Sequence, residues 1–297
     1  MENEFIKGRG SQLKTRNKFL KLHYDSDSID GIDEPDNFAR TTKFFEETPK
    51  TVVNKVDSPD VFMEYSLNPY QGCEHGCIYC YARNSHQYWG FSSGLDFEQN
   101  IIVKKNAPEL LRANFEKASW KATTISLSGN TDCYQPAEKK YELTRQLLEI
   151  FLEYQNPVGI ITKNSLILRD LDILKKLAAR NLVHVMISIT SLDESLRRLM
   201  EPRTASSIKR IDTVRQLSEN GIQTGVMIAP IIPGLNSMEI PAIMEKVAEA
   251  GAINAGFTIV RLNGDVAELF TNWVHKSFPD RAEKILHQIG SASKVGE

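Results

Sequence analysis

Three of the four cysteines fall within one short stretch, Asn68-Pro-Tyr-Gln-Gly-Cys73-Glu-His-Gly-Cys77-Ile-Tyr-Cys80-Tyr-Ala-Arg83. Thiolates spaced C-x-x-x-C-x-x-C on a loop with Gly72 and Gly76 can converge on one soft metal centre. A tetrahedral zinc needs a fourth ligand, which His75 or His86 can offer. Structural zinc sites usually join two separated ligand pairs, and only Cys133 lies downstream. Three cysteines without a fourth suit a [4Fe–4S] cluster whose remaining iron is left to a non-protein ligand.

Such a loop has to be held by something regular. Short β-rich apolar runs recur at Thr123–Leu127, Val158–Thr162, Val183–Thr190, Thr224–Ile231 and Ala255–Val260. Between them Leu171/Leu174/Leu177/Ala178, Ile208/Ile211/Val214/Leu217 and Ile240/Ile243/Val247/Ala250 repeat at three- and four-residue steps, the period of a one-sided helix. Asn220-Gly221 and Ala250-Gly251 are expected C-terminal stops. With Met63–Pro69 as a first strand, these make six βα units. An α/β fold follows, a parallel sheet covered by helices and closed as a partial (β/α)6 barrel. No G-x-G-x-x-G follows a strand, which argues against a doubly wound dinucleotide fold. In a βα barrel the chemistry sits at the carboxyl ends of the strands, and the cysteine loop follows the first.

The chain has 297 residues and is 41% apolar, with 36 Lys+Arg against 38 Asp+Glu. That composition excludes a disordered chain, and the near-zero net charge excludes a general polyanion binder. No apolar run approaches the ~20 residues of a membrane-spanning helix, and the first residues lack the order of a secretory signal. A cytoplasmic protein with free thiols is the expectation. Residues 1–58 read as a charged, partly disordered extension. It opens with Lys7, Arg9, Lys14, Arg16, Lys18 and Lys21, read as a mobile, solvated arm. Residues 59–265 read as the core barrel and 266–297 as closing helices interrupted at Pro279.

The cysteine motif, with Tyr79 before its last cysteine, resembles the signature of the radical S-adenosylmethionine (SAM) superfamily. Within it, NPYQGCEHGCIYCYAR, SGNTDCYQPAE, ITKN, SITS and MIAPIIPGLN are similar to a bacterial group related to spore photoproduct lyase. The resemblance implies a partial (β/α)6 barrel over roughly 60–262. It also implies a [4Fe–4S] cluster on Cys73, Cys77 and Cys80, and SAM cleaved reductively to a 5′-deoxyadenosyl radical that abstracts hydrogen from a substrate. A flavodoxin or ferredoxin would supply the electron. Similar proteins often continue further, so a substrate-covering segment beyond this sequence is an expectation.

Carried over residue by residue, Tyr79 would lie near the SAM adenine, with packing as the alternative. Ser128, Gly129, Asn130 and Asp132, after the second strand, would meet the SAM amino group. Lys163 would pair with the SAM carboxylate, Ser188 and Thr190 would present ribose-binding hydroxyls, and Arg203 would hold a carboxylate or phosphate. His75 reads as a hydrogen-bond donor that orders the loop. Cys133 is the candidate catalytic residue, a thiol returning hydrogen to a product radical; a small packing residue is the alternative. The function expected is a radical SAM enzyme, with a lyase acting on a nucleic-acid lesion as one form. Peptide, tRNA and small-molecule substrates stay open, and no duplex-binding motif is evident. A non-catalytic module stabilised by zinc or a cluster is the alternative class.

Overall fold

The computed structural model describes residues 6–19, 41–57 and 63–294. The main sheet has seven strands in the order β10-β9-β8-β7-β6-β3-β2. They are β2 (Val53–Lys55), β3 (Tyr65–Leu67), β6 (Ile125–Leu127), β7 (Val158–Thr162), β8 (Val183–Ser188), β9 (Gln223–Ile231) and β10 (Ala255–Ile259). From β3 to β10 every pairing is parallel, and β2 adds an antiparallel edge. The six parallel strands are the six apolar runs of the sequence, with ends that differ by at most two residues.

Register gathers the functional ends. Leu67 lies opposite Leu127, Thr162 opposite Ile187, and Ser188 opposite Met227. Asn68, Ser128, Lys163 and Ile189 therefore leave the sheet along one rim. Crossover helices such as Leu143–Glu153, Leu171–Ala178, Ser207–Glu219 and Ile240–Glu249 cover it. Their apolar stripes join one core, in which Leu147, Phe151, Leu174, Leu177, Val214, Leu217, Ile243 and Val247 pack on Ile160, Val185 and Val226. Gly221 and Gly251 take positive φ at the helix ends, as stop residues should. Two details differ from the sequence pattern. Ile208, counted on the buried stripe, is 75% exposed because it sits in the first helical turn, past the edge of the core. Strand β10, expected between covering helices, is mostly exposed at the edge of the sheet, where among the described residues it pairs with β9.

A second, three-stranded sheet was not anticipated. Strand β1 (Lys43–Glu47) pairs in parallel with β5 (Asn100–Lys104), which pairs antiparallel with β4 (Tyr70–Gln71). It buries Tyr70, Ile101 and Val103 against Ala137 and Leu143, and β4 leads straight into the cysteine loop. The closing helices Asp265–Ser277 and Ala282–Lys294 are where the sequence placed them. Their Phe270, Trp273, Val274 and Ile285 form a separate cluster with Cys77, Ile78, Tyr79 and Met200. The C-terminal segment thus grips the cysteine loop.

Residues 6–19 correct the expectation of a solvated arm. Ser11 and Gly10 donate their amides to the Glu98 carboxylate at 2.7 and 3.1 Å, and Leu95 donates to the Leu13 carbonyl at 3.0 Å. Asn17 Nδ2 donates to the carbonyls of Gln87 and Phe91. A buried carboxylate needs donors, and the arm brings two amides to it. The remainder of the expected arm, residues 1–5 and 20–40, lies outside the described residues. No described helix is long and apolar enough to cross a membrane.

Candidate active site

Cys73 and Cys77 are buried and Cys80 half-buried, all as free thiols. Burial pushes the Cys73 thiol well above its usual range, and the neighbouring Asp132, Cys77 and Cys80 push it further. Burial likewise raises Cys77 and Cys80, opposed by Lys163 and Arg83 respectively. Two glycines let the loop close. A side chain at Gly10 would sit 1.8 Å from the Gly76 carbonyl oxygen, so arm and loop touch backbone to backbone there. Gly76 itself takes φ 69, the left-handed region, with Glu98 close behind it. Arg83, fully buried, ties the loop down by donating to the Cys77 carbonyl at 2.9 Å and to Glu98 Oε1 at 2.5 Å.

His75 joins this loop to the ends of β6 and β7. Its Nδ1 lies 3.3 Å from Asp132 Oδ2 and its Nε2 lies 3.3 Å from Asn164 Nδ2. Asp132 also accepts from the Lys163 amide and the Thr162 hydroxyl, both at 2.8 Å. Burial raises the Asp132 carboxyl, but His75 and these donors outweigh it and hold it below the usual carboxylate range. Asp132 is therefore a brace between three loops.

The rim after β7 and β8 carries a buried charge network. Lys163 Nζ lies 3.6 Å from Glu201 Oε1, donates to the Ala229 carbonyl at 3.4 Å and stands 5.8 Å from the Tyr79 ring centroid. Glu201 is fully buried; it accepts from Thr190 at 2.5 Å and also from the Tyr79 hydroxyl and Arg210. Burial would raise the Glu201 carboxyl, but Arg210, Lys163, Thr190 and Tyr79 reverse this and hold it far below 4.5. Burial and Glu201 together keep the Tyr79 hydroxyl protonated, as a donor. Lys163 thus follows β7 and faces Glu201, while Thr190 and Tyr79 spend their hydroxyls on the same carboxylate. Glu201 and Arg210 were not singled out in the sequence. Their signal was weak: one acid among thirty-eight and a basic residue on a helix face.

Ser188 ends β8 buried, its carbonyl accepting from Arg210 Nη1 at 2.9 Å. Ser128 takes a positive φ of 81, and its hydroxyl accepts from the Cys133 amide at 2.7 Å. Gly129 packs its α-carbon against Ser66 and accepts the Tyr81 hydroxyl at its carbonyl. Asn130 Nδ2 donates to Gln71 Oε1 at 3.1 Å, and its backbone amide donates to Asn68 Oδ1 at 2.8 Å. These three residues line the rim beside the cysteine loop.

Arg203 and Cys133 stand apart from this network. Arg203 does not join the mouth network: its Nη2 lies 3.4 Å from Glu74 Oε1, and its amide donates to the His75 carbonyl at 3.3 Å. Cys133 is 0% exposed in the main core with Leu127, Tyr134 and Leu147. The turn after β6 directs Asp132 to His75 and the next side chain inward, the position that the packing alternative for Cys133 describes.

Three free, desolvated thiols in one neighbourhood fit a group that supplies soft positive charge, since burial disfavours each thiolate until a metal pairs with it. As they stand, no three of the described His, Cys, Asp and Glu side chains are gathered closely enough to hold a metal ion. His75 is held by Asp132 and Asn164. His86, buried and stacked on Phe91, places Nε2 3.2 Å from the Asp96 carbonyl.

The Radical SAM superfamily profile matches residues 67–247. An uncharacterized protein of Mycobacterium tuberculosis is 31% identical over 240 residues, covering 80% of this chain and 71% of its own length. An uncharacterized protein of Methanocaldococcus jannaschii is 30% identical over 234 residues, covering 79% of this chain and 84% of its own. Among solved structures, a spore photoproduct lyase with bound AdoMet and dinucleoside spore photoproduct superposes with a TM-score of 0.56 at 18% identity. That match covers 80% of this chain and 66% of the lyase, a likeness of fold.

Proposed function

The chain belongs to the radical SAM superfamily, and from that premise we propose that it is an enzyme that reductively cleaves SAM to start hydrogen abstraction from a nucleic-acid substrate. The observation that carries the reading is the three-thiol loop leaving the first parallel strand, with Lys163 at the end of the third facing the same mouth. When bound, a [4Fe–4S] cluster with SAM on its open iron supplies the reductive cleavage of the sulfonium C–S bond.

Cys73, Cys77 and Cys80 would hold the cluster, and His75, Arg83 and the closing helices fix their loop. Lys163 presents a cation to the mouth beside Tyr79, suited to the SAM carboxylate. Glu201 and Arg210 hold Tyr79, Thr190 and Lys163 in one arrangement. Gly129, without a side chain, lets the rim close against Ser66 and offers its carbonyl to the Tyr81 hydroxyl. The lyase of similar fold carries a dinucleoside lesion, which supports a nucleic-acid substrate here. A flavodoxin- or ferredoxin-type donor in the cytoplasm would supply the electron. The test is anaerobic turnover with lesion-bearing oligonucleotides, following 5′-deoxyadenosine and the oligonucleotide by mass. Deoxyadenosine formed at one rate with every oligonucleotide, all left unchanged, would remove the substrate assignment.

A further inference from the structure

Among the described residues, five aromatic side chains stand exposed to solvent: Phe19, Phe45, Tyr81, Tyr88 and Phe257. Four of them belong to, or stack on, one short stretch, the 3-10 helix Tyr81–Trp89 and its continuation to Phe91. Tyr88 is 74% and Phe19 49% exposed, yet their rings lie 4.8 Å apart at 30°, a tilted stack. Phe45, on β1, lies 5.2 Å from Phe91, whose ring in turn stacks on His86. Single apolar residues on a surface need no explanation; a group of open rings on one segment does.

The stack is fixed from below. Buried Asn17 donates to the carbonyls of Gln87 and Phe91, which flank Tyr88, and its Oδ1 accepts the Phe19 amide at 2.8 Å. That turn sets where Phe19 leaves the arm, so its ring backs one face of Tyr88 and leaves the other to solvent. Lys18, also exposed, holds its ammonium 5.1 Å from the Phe19 ring centroid, a cation beside the rings. At the other end of the helix Tyr81 directly follows Cys80 and donates its hydroxyl to the Gly129 carbonyl on the rim. The aromatic surface is therefore continuous with the cysteine loop. Seven residues of 3-10 helix at ~2 Å each separate Tyr88 from Tyr81 by roughly 14 Å, about four stacked nucleotides at ~3.4 Å each.

We propose that Tyr88, Phe19 and Lys18 form a stacking platform for single-stranded nucleic acid, holding a nucleotide that flanks the one presented to the mouth. Every base has a π-face to lay on an open aromatic ring, and such stacking takes a strand without demanding a sequence. A duplex hides those faces, so the platform selects a single strand or an unpaired end. Lys18 attracts the phosphodiester backbone that passes the edge of the rings, a charge that a purely apolar partner would leave unused. The proposal rests on the nucleic-acid reading above and gives that substrate a second point of attachment, away from the reacting centre.

The test uses the anaerobically prepared full chain with fluorescein-labelled oligothymidylate, alone or annealed to oligoadenylate, read by fluorescence anisotropy. Wild type is expected to bind the single strand more tightly than the duplex. Tyr88→Ala should weaken single-strand binding roughly five- to a hundredfold, the worth of one base stacked on an aromatic ring, while Tyr88→Phe keeps it. Lys18→Gln should weaken it less and lower the slope of log affinity against log salt by about 0.7. Because the Tyr88 ring is mostly exposed, Tyr88→Ala should melt with the wild type, which separates lost binding from lost fold. Equal binding by wild type, Tyr88→Ala and Phe19→Ala would overturn the platform and leave the nucleic-acid reading standing. A wild type that binds neither probe would overturn both, and a duplex bound as tightly as the single strand would overturn the platform alone. Self-association of the wild type that is lost in Tyr88→Ala, with strand binding unchanged, would assign the rings to an interface between copies and overturn the platform too. Deoxyadenosine formed from SAM without oligonucleotide, on the same preparations, should be equal in wild type and Tyr88→Ala and reports on the radical reading separately.

Discussion

Glu201→Gln removes one negative charge from a fully buried site that holds two cations, Arg210 and Lys163. The amide keeps the size of the side chain and one acceptor, so the perturbation is electrostatic. Arg210 loses the carboxylate that balances it while remaining 1% exposed. Breaking a buried pair by removing one partner typically costs about 3–5 kcal/mol, a large share of the ~5–15 kcal/mol that holds a typical domain folded. At roughly 2–4 °C per kcal/mol for large domains, the melting temperature should fall by on the order of 10 °C. The pH dependence has a definite sign. The Glu201 pKa is depressed in the folded state, so its contribution is fully present above the usual 4.5 and is lost as pH falls through the folded value. Thermal melts of wild type and Glu201→Gln should therefore differ by a constant amount from pH 7 down to about 4.5 and converge below it. A variant melting within about 2 °C of wild type at pH 7, or a gap that persists unchanged into strong acid, would refute the argument.

Cys73→Ala, Cys77→Ala and Cys80→Ala should each lose iron while keeping the far-ultraviolet circular dichroism of the wild type, because the main core lies elsewhere; iron retained near wild-type content would remove that cysteine from the ligand set. Lys163→Ala should keep its iron and lose SAM affinity by roughly ten- to a hundredfold, the worth of one charge-assisted bond, as read by equilibrium binding; an unchanged constant would place the side chain outside the site. Gly10→Ala cannot seat its methyl 1.8 Å from the Gly76 oxygen, so limited proteolysis should cut the arm far faster than in wild type, and equal protection would contradict the docked arm. Cys133→Ala should cost about 1 kcal/mol or more in stability by leaving a small void and leave the product unchanged; a diverted product would restore the thiol as hydrogen donor.

The barrel was readable because each strand is a short, nearly all-apolar run and each helix repeats its own period. Val158–Thr162 is found with the bounds the sequence suggested. The cysteine loop was readable from its spacing, and Lys163 lies where the sequence put it only in the sense that it directly follows β7. The small sheet was not, since β4 has only two residues and β1 is the charged run Lys-Phe-Phe-Glu-Glu. The docked arm was missed for a similar reason: its attachment is made by backbone amides to Glu98, and composition does not report backbone contacts. Glu201 was passed over for its neighbour Arg203, because neither shows in sequence which of the two is turned inward. Cys133 shows the converse, a reactive residue type one position past a rim-facing Asp132, where chain geometry sends it to the core.

The central claim is tested most directly by measuring 5′-deoxyadenosine released from SAM by the anaerobically reconstituted, chemically reduced full chain. The account predicts deoxyadenosine and methionine in equal amounts from the wild type and neither above background from Cys77→Ala. An iron-loaded, reduced wild type that binds SAM and leaves it intact would contradict it.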